Sequence, residues 1–447
     1  MNATVRIDPT DDSAHECAKV EIRLGNREKP FLLDLDGSTL LRRGGPTEGV
    51  ALDFLLLASA VYAADKAVAR NTKGDAEDRW TRQIHLTVPV QALDLWQPVA
   101  AEFSQGVSFL TGDLWSIHFE GAARQLLQPK PRQRPRLPQP LFGEAVSLYS
   151  GGLDSYIGAI DWLDGHPEGR LCLASHYDGH ISGPHADQER TLELLKAAYP
   201  ERISHLQVRV GIRPAGPEKS LRSRSLLFVA LGFYAATALG AQCPLIVPEN
   251  GPIAVNFPLT PTRRGSCSTR TTHPHFMDWL RAVLPKVGLD NSISNPYEFK
   301  TKGEMVANCR DGDLLAAGVQ ETVSCAKAGH KRHWDHRHAR ACGRCVPCLF
   351  RRAAIHRGEL PAEQYGIDVL SPQGAAEPPN DDSLALFSFV RRNLSAAQVA
   401  RALACNGSLP FANLHGYADV VLRMRKEVRD WLADEAPTSV RELVGLP

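Results

Sequence analysis

The chain reads as an α/β protein, with a parallel sheet carrying helices on both faces, an α+β domain before it and a helical region after it. Three observations lead there. From residue 146 onward, strand-length apolar runs alternate with helix-length segments, the pattern of parallel strands joined by helical crossovers. At one junction, Ser150-Gly151-Gly152-Leu153-Asp154-Ser155, a glycine pair stands between the apolar run 145–149 and the helical pattern 156–163. A third segment, residues 128–140, holds five prolines and four basic residues without an acid, and separates this region from what precedes it.

Before that segment, residues 19–24 and 83–88 alternate as half-buried strands do. Residues 48–70 have helical spacing, with Ala51, Leu55, Ala58, Val61 and Tyr62 on one side. Residues 1–127 therefore read as an α+β accessory domain without a catalytic motif, and partner recognition is its expected role by elimination. Residues 128–140 are the expected linker. A solvated spacer is the plain reading of its charge and contact with RNA the sharper one. Residues 141–358 form the expected parallel-sheet domain, with strands at 146–149, 171–175, 205–210 and 245–247. Its helices begin at Ser155, run over 189–198 and begin again at Leu221. Residues 359–447 read as helical, notably 395–405 and 417–433.

At 447 residues the chain is long enough for two or three domains. Its 51 Lys and Arg against 50 Asp and Glu leave a formal net charge of +1, so no whole-molecule attraction to nucleic acid or membrane is expected. The longest apolar run, 226–241, falls short of the roughly 20 residues a membrane span needs and carries Gly232, Thr237 and Gly240. Residues 1–12 already contain Arg6, Asp8, Asp11 and Asp12, unlike a secretory leader. A cytoplasmic location is the expectation.

In a parallel sheet ligands sit at the carboxyl ends of strands, where the glycine pair would lie. A strand, two glycines and a helix start aim several backbone N–H groups at an anion, so the hexapeptide reads as a phosphate cradle. A tight turn without ligand is the bland alternative. The Walker loop draws a lysine to the terminal phosphates, and no such lysine follows here.

Of ten cysteines, Cys325, Cys342, Cys345 and Cys348 form a separate set, with two C-x-x-C steps and sixteen residues before them. Four thiolates so spaced suit a closed, structural Zn²⁺ site; an iron–sulfur cluster is the rival. His330, His333, His336 and His338 lie between these cysteines, and exposed loop histidines are their simpler reading. Nine basic residues between Lys327 and Arg357 face Asp335 alone, a belt suited to phosphates of RNA or of a nucleotide. The other cysteines read as small buried hydrophobes.

The sequence SGGLDS resembles the signature of the PP-loop ATP pyrophosphatases, which adenylate a carboxylate or amide oxygen and release pyrophosphate. Followed by the cysteine set, it resembles more closely the 7-cyano-7-deazaguanine synthase family. Arg224 and Phe228 look like that family's Arg-Asn-x-x-Phe helix start, Thr301-Lys302-Gly303-Glu304 its Thr-Lys-x-Glu segment, and Arg351 follows the last cysteine at its distance. The resemblance covers about residues 145–357. It implies an adenine nucleotide alpha hydrolase-like fold and an ATP-dependent carbon–nitrogen ligase acting on 7-carboxy-7-deazaguanine, as in queuosine biosynthesis.

In that reading Tyr149, Ser150, Gly151, Gly152, Leu153, Asp154 and Ser155 bind ATP. The hydroxyls and amides hold the departing pyrophosphate, Asp154 positions Mg²⁺, and Arg224 and Lys302 neutralise phosphate oxygens. Asp154, Ser155, Arg224 and Lys302 are the expected catalytic set. A surface role is the plain alternative for Arg224 and Lys302.

The segment after the fourth strand departs from the family. Glu249, Asn250 and Asn256 stand where its substrate loop would be, and Glu249-Asn250 reads either a purine-like edge or ordinary turn chemistry. Arg264, Arg270 and His273, in a Ser- and Thr-rich stretch, suit an anionic or amide-bearing group, with a well-bonded loop as the alternative. This altered loop, the N-terminal domain and the tail resemble the synthase-like proteins of bacterial anti-phage operons, the Qat system first and type IV CBASS next. That resemblance implies a protein partner from the same operon, whose amine is an alternative nucleophile to ammonia. Two other readings stand beside it: a nucleotide-sensing, RNA-binding module without turnover, and a tRNA thiouridine sulfurtransferase, for which no second thiol pair is evident.

Overall fold

The computed structural model describes residues 2–10, 18–25, 27–70, 80–127, 137–181, 183–260, 270–371 and 382–447. Its strands in chain order are β1 (Asn2–Thr10), β2 (Lys19–Leu24), β3 (Phe31–Leu35), β4 (Gln83–Val90), β5 (Leu114–Gly121), β6 (Ala145–Leu148), β7 (Leu171–Tyr177), β8 (Ile203–Arg213), β9 (Leu245–Ile246) and β10 (Ile293–Ser294). They form one ten-stranded sheet, ordered β10-β9-β6-β7-β8-β3-β2-β1-β4-β5.

The portion from β10 to β8 is wholly parallel, as the alternating pattern predicts. The expected N-terminal strands are present, but they extend this sheet through an antiparallel joint. Residues 203–209 of β8 pair with β7, and residues 210–213 pair with β3 on the other edge, Leu35 opposite Val210. The whole sheet is therefore mixed, with β3, β2 and β1 antiparallel to their neighbours and β1, β4 and β5 parallel again.

Helices cover both faces, and the two-residue period of the strands shows it. Val146, Leu148, Cys172 and Ala174 face a core shared with the helices Val50–Ala67 and Arg224–Leu239. Ala145, Tyr149, Leu171 and Leu173 face the opposite core, with the helices Leu153–Gly165 and Pro184–Ala198. The helix Val50–Ala67 is buried from Ala51 to Ala67 rather than along one stripe, because the sheet, the neighbouring helix Arg224–Leu239 and, at Phe54, the rings of Trp96 and Phe103 all pack on it. Its Asp65 joins Arg70, Arg82 and Asp113 in a buried ionic network. The helical region after residue 381 has a separate core around the helix Leu414–Glu435, packed on the helix Val346–Arg357.

No helix among the described residues is long and apolar enough to cross a membrane. The basic linker lies outside the described residues up to Arg136, as do Cys17, Arg264 and Cys267. Cys172 and Cys243 are buried as expected, whereas Cys405 is exposed at the end of the helix Ala396–Ala404, where no core reaches it.

Candidate functional site

The chain turns from β6 into the helix Leu153–Gly165 through Ser150, Gly151 and Gly152. Gly151 has φ +77°, and a Cβ there would stand 2.9 Å from the Gln188 backbone nitrogen, so both conformation and space require glycine. Gly152 has an ordinary φ of −90°. Gly151→Ala is therefore expected to cost about 1–3 kcal/mol in urea denaturation and Gly152→Ala distinctly less.

The loop is bonded from within and from outside. Gly152 N–H donates to Ser150 Oγ at 3.3 Å, Ser155 Oγ donates to the Gly152 carbonyl at 2.9 Å, and the two serine oxygens lie 3.3 Å apart. From the cysteine segment, Val323 N–H donates to the Gly151 carbonyl at 3.0 Å and Ser324 Oγ accepts from Leu153 N–H at 3.2 Å.

Beside the loop opens a cleft of about 320 Å³. It lies at the switch point of the parallel strands, since the chain runs from β6 to β7 and β8 on one side and returns to β9 and β10 on the other. Leu148, Leu221, Phe228, Val229, Val247 and Pro248 make its walls apolar, and Ser150, Arg224 and Glu249 reach it as well. An apolar cleft with few polar groups is the usual form of a small-ligand site.

Asp154, in the first turn of the helix, is buried. Its carboxylate pairs with Lys302 Nζ through Oδ1, while Oδ2 accepts from Asn250 Nδ2 at 2.6 Å. Lys302 is delivered by the helix Lys302–Ala307, whose start is closed by a Thr301/Glu304 capping box. Burial alone would raise Asp154, but the Lys302 charge and hydrogen bonds from Glu249, Lys302 and Asn250 hold it below the ordinary carboxylate range. Burial and the Asp154 charge push neighbouring Glu249 well above that range. One ionised and one neutral carboxyl group thus stand side by side.

Arg224 lines the cleft at the start of its helix, with its guanidinium 5.0 Å from the centre of the Phe228 ring. Its Nε–H donates to His176 Nδ1 at 3.2 Å and one Nη–H to the His176 carbonyl at 3.2 Å.

The remaining expected residues lie in other roles. Tyr149 buries its ring and donates its hydroxyl to Thr191 Oγ1 at 2.6 Å. Asn250 caps the helix Gly251–Val255 and bonds Asp154, and Asn256 ends that helix at φ +45°. Arg270 donates to the Phe109 carbonyl at 2.6 Å. His273 caps the helix Pro274–Val283, and burial, then Arg270 and His275, lower its pKa to about 3. None of these five lines the cleft, though Thr271 and Thr272 between Arg270 and His273 do. Arg351 is buried and held by Glu363, Thr322 and the Val319 carbonyl.

Cys325, Cys342, Cys345 and Cys348 converge, with their sulfurs all within 4.8 Å of one another. Gly343 makes the knuckle between them at φ +81°, where a Cβ would meet the Ile367 carbonyl at 2.5 Å. Backbone N–H groups of Lys327 and Cys342 point at Cys325 Sγ, and that of Cys345 at Cys342 Sγ, each at 3.3 Å. The four soft donors fit a tetrahedral metal such as zinc. Among the described residues no histidine joins them. His333, His336 and His338 are exposed.

Comparison with protein-family models, curated proteins and solved structures finds no match to this chain.

The basic belt is smaller in space than in sequence. Lys327 lies 3.7 Å from Asp382, Arg340 3.0 Å from Asp187, and Arg352 3.1 Å from Asp368, while Arg357 pairs with Glu427. These acids arrive from distant segments, which a local charge count omits. Sequence reasoning also missed Ser324 and His176, neither of which stands in a motif.

Proposed function

We propose that this chain is an ATP-dependent carbon–nitrogen ligase of the 7-cyano-7-deazaguanine synthase type, acting in bacterial anti-phage defence. It would adenylate a carboxylate, 7-carboxy-7-deazaguanine first, for attack by ammonia or by an amine of a partner protein. The observation that carries the proposal is the glycine loop at the sheet's switch point, opening on a cleft that offers apolar walls, Arg224 and the Glu249 carboxyl group.

A carboxylate resists attack because oxide is a poor leaving group. Its oxygen attacks the α-phosphorus of ATP, pyrophosphate leaves, and the amine then displaces AMP from the acyl carbon. The Ser150 and Ser155 hydroxyls would hold the departing pyrophosphate, joined by the Gly152 and Leu153 amides once these leave Ser150 Oγ and Ser324 Oγ. Asp154 would hold Mg²⁺ only on exchanging Lys302 or Asn250, on which both its oxygens are spent, for the ion. That ion neutralises phosphate charge when bound. Lys302 and Arg224 would share the task, and the neutral Glu249 can donate to an acceptor on the heterocycle. Zinc at the four cysteines would be structural, since all four positions are filled by protein.

Incubation with ATP and carboxydeazaguanine is expected to release pyrophosphate in an acid-dependent manner, and Asp154→Ala to lower the rate by about 100-fold or more. Absence of acid-dependent release overturns the proposal. Nucleotide binding without release identifies a sensing module instead. Intact mass of the operon partner after the same incubation separates protein conjugation from simple amidation.

A further inference from the structure

Within the cleft, Arg224 is the only cation among the described lining residues, and no carboxylate among the described residues pairs with it. Asp178, whose charge reaches Arg224 without an ion pair, spends its oxygens on the Tyr62 hydroxyl at 2.9 Å and the His180 N–H at 2.9 Å. A guanidinium taken partly out of water without a counter-ion is costly unless a ligand supplies one. Two residues of the same cleft wall carry hydroxyls that are also unpaired. Ser225 Oγ and Thr272 Oγ1 are inaccessible to solvent and have no hydrogen-bond partner among the described residues, although buried polar atoms are nearly always bonded.

The guanidinium is also held in one orientation. His176 is fully buried, and its Nε2 lies 2.9 Å from the Val210 carbonyl, which can only accept, so Nε2 carries the proton. Nδ1 is then left bare to accept from Arg224 Nε–H. Behind the imidazole, the Tyr62 ring stands edge-on at 5.4 Å. Asp65 accepts from Ser223 Oγ at 2.7 Å and so ties down the residue before Arg224. Both Tyr62 and Asp65 come from the helix Val50–Ala67, in the part of the chain that sequence reasoning assigned to partner docking.

We propose that Arg224, Ser225 and Thr272 form an oxyanion site on the cleft wall, and that His176 is its positioning residue, backed by Tyr62 and Asp65 of the N-terminal portion. The anion is either a phosphate of the nucleotide or the carboxylate of the acid; this choice of sources rests on the function proposed above, while the site itself does not. Residues 1–127 thereby help to build the cleft rather than serving only to recruit a partner.

The test is calorimetric titration of the full chain with Mg·ATP, with inorganic pyrophosphate and with carboxydeazaguanine. Two variants separate positioning from packing. His176→Phe keeps a planar ring but loses the acceptor, whereas His176→Asn places its side-chain oxygen where Nδ1 stood. His176→Phe is expected to weaken at least one ligand about tenfold or more, and His176→Asn to recover most of that loss. Ser225→Ala with Thr272→Val is expected to weaken the same ligand several-fold.

Loss confined to ATP and pyrophosphate assigns the site to phosphate, and loss confined to the acid assigns it to carboxylate. Wild-type affinity in His176→Phe, equal weakness in both His176 variants, or no binding of any probe by the wild type overturns the inference. Should His176→Phe fail to fold, Arg224→Gln reads the site directly, and unchanged affinity there overturns it equally. Ligand binding with these losses but without pyrophosphate release sinks the ligase reading and leaves the oxyanion site standing.

Discussion

Removing the metal from the cysteine cluster, by a chelator or by Cys345→Ser, is expected to unfold the segment from Cys325 to Cys345 and to weaken nucleotide binding in the same step. The first effect follows from the local core. Trp334, Ala339, Ala341, Tyr365 and Ile367 pack around the four cysteines in a small cluster, apart from the larger cores that hold Leu349, Phe350, Ala353, Ala354 and Ile355 of the helix Val346–Arg357. Structural zinc contributes about 10–16 kcal/mol of apparent folding energy in finger peptides, as much as the whole stability of an ordinary domain. The second effect follows from two hydrogen bonds. Ser324 precedes the ligand Cys325 and meets the Leu153 N–H, while Val323 N–H holds the Gly151 carbonyl, so the cradle's backbone is braced by the cluster's first strut. Metal content by elemental analysis, thermal unfolding and ATP titration should fall together. A metal-free protein with a lower melting temperature but unchanged ATP affinity would show that the brace does not matter. A colourless protein with one zinc per chain supports the structural reading against an iron–sulfur cluster.

What the sequence carried plainly was short in range. The parallel strands β6 to β9 announced themselves because both faces of such strands are buried and their sequences are rich in apolar residues of strand length between helical segments. The glycine pair and the cysteine spacing were legible because each is a local geometric demand: a positive φ at Gly151 and at Gly343, and four sulfurs within one coordination sphere. The joining of N-terminal and central strands was not legible, since the pairing of β3 with the end of β8 spans nearly the length of the sheet domain and leaves no mark on either strand's pattern. Nor was the fate of the charges. Arg340, Arg351 and Arg352 looked unopposed until folding brought Asp187, Glu363 and Asp368 to them. His273 and Asn250 were singled out as polar residues near a substrate loop, yet each spends an acceptor on capping a helix. His176 lies in a buried strand between Ser175 and Tyr177, outside any motif, and only the hydrogen bonds it receives from Arg224 mark it out.

Asp154, Glu249 and Lys302 are expected to respond to substitution non-additively, because they share one negative charge. In the wild type Asp154 holds that charge and faces Lys302, while Glu249 keeps its proton. Glu249→Gln removes no charge and keeps a donor toward Asp154, so its cost should stay within about 1 kcal/mol. Asp154→Asn removes the charge, but it also removes the repulsion that kept Glu249 protonated. Glu249 can then ionise in its place, which limits the loss to about 1–2 kcal/mol. With both replaced, Lys302 is left buried without a counter-ion, at a cost of about 3–5 kcal/mol. The excess over the sum of the single variants is the coupling, read from a double-mutant cycle in urea. A double variant no worse than that sum would deny the sharing.

The pH dependence tests the same assignment independently. The folded-state value of Glu249 is raised, so its contribution is complete below its unfolded value near 4.3 and is lost as pH rises toward the folded value, by up to about 1.4 kcal/mol per pH unit. Asp154, lowered on folding, acts oppositely and loses its contribution only as pH falls below about 3.9. Between about pH 5 and 8 the Glu249 slope should therefore be visible in the wild type and absent from Glu249→Gln. If the two proteins keep the same slope, the proton sits elsewhere, and the cleft presents an ionised carboxylate rather than a neutral acid.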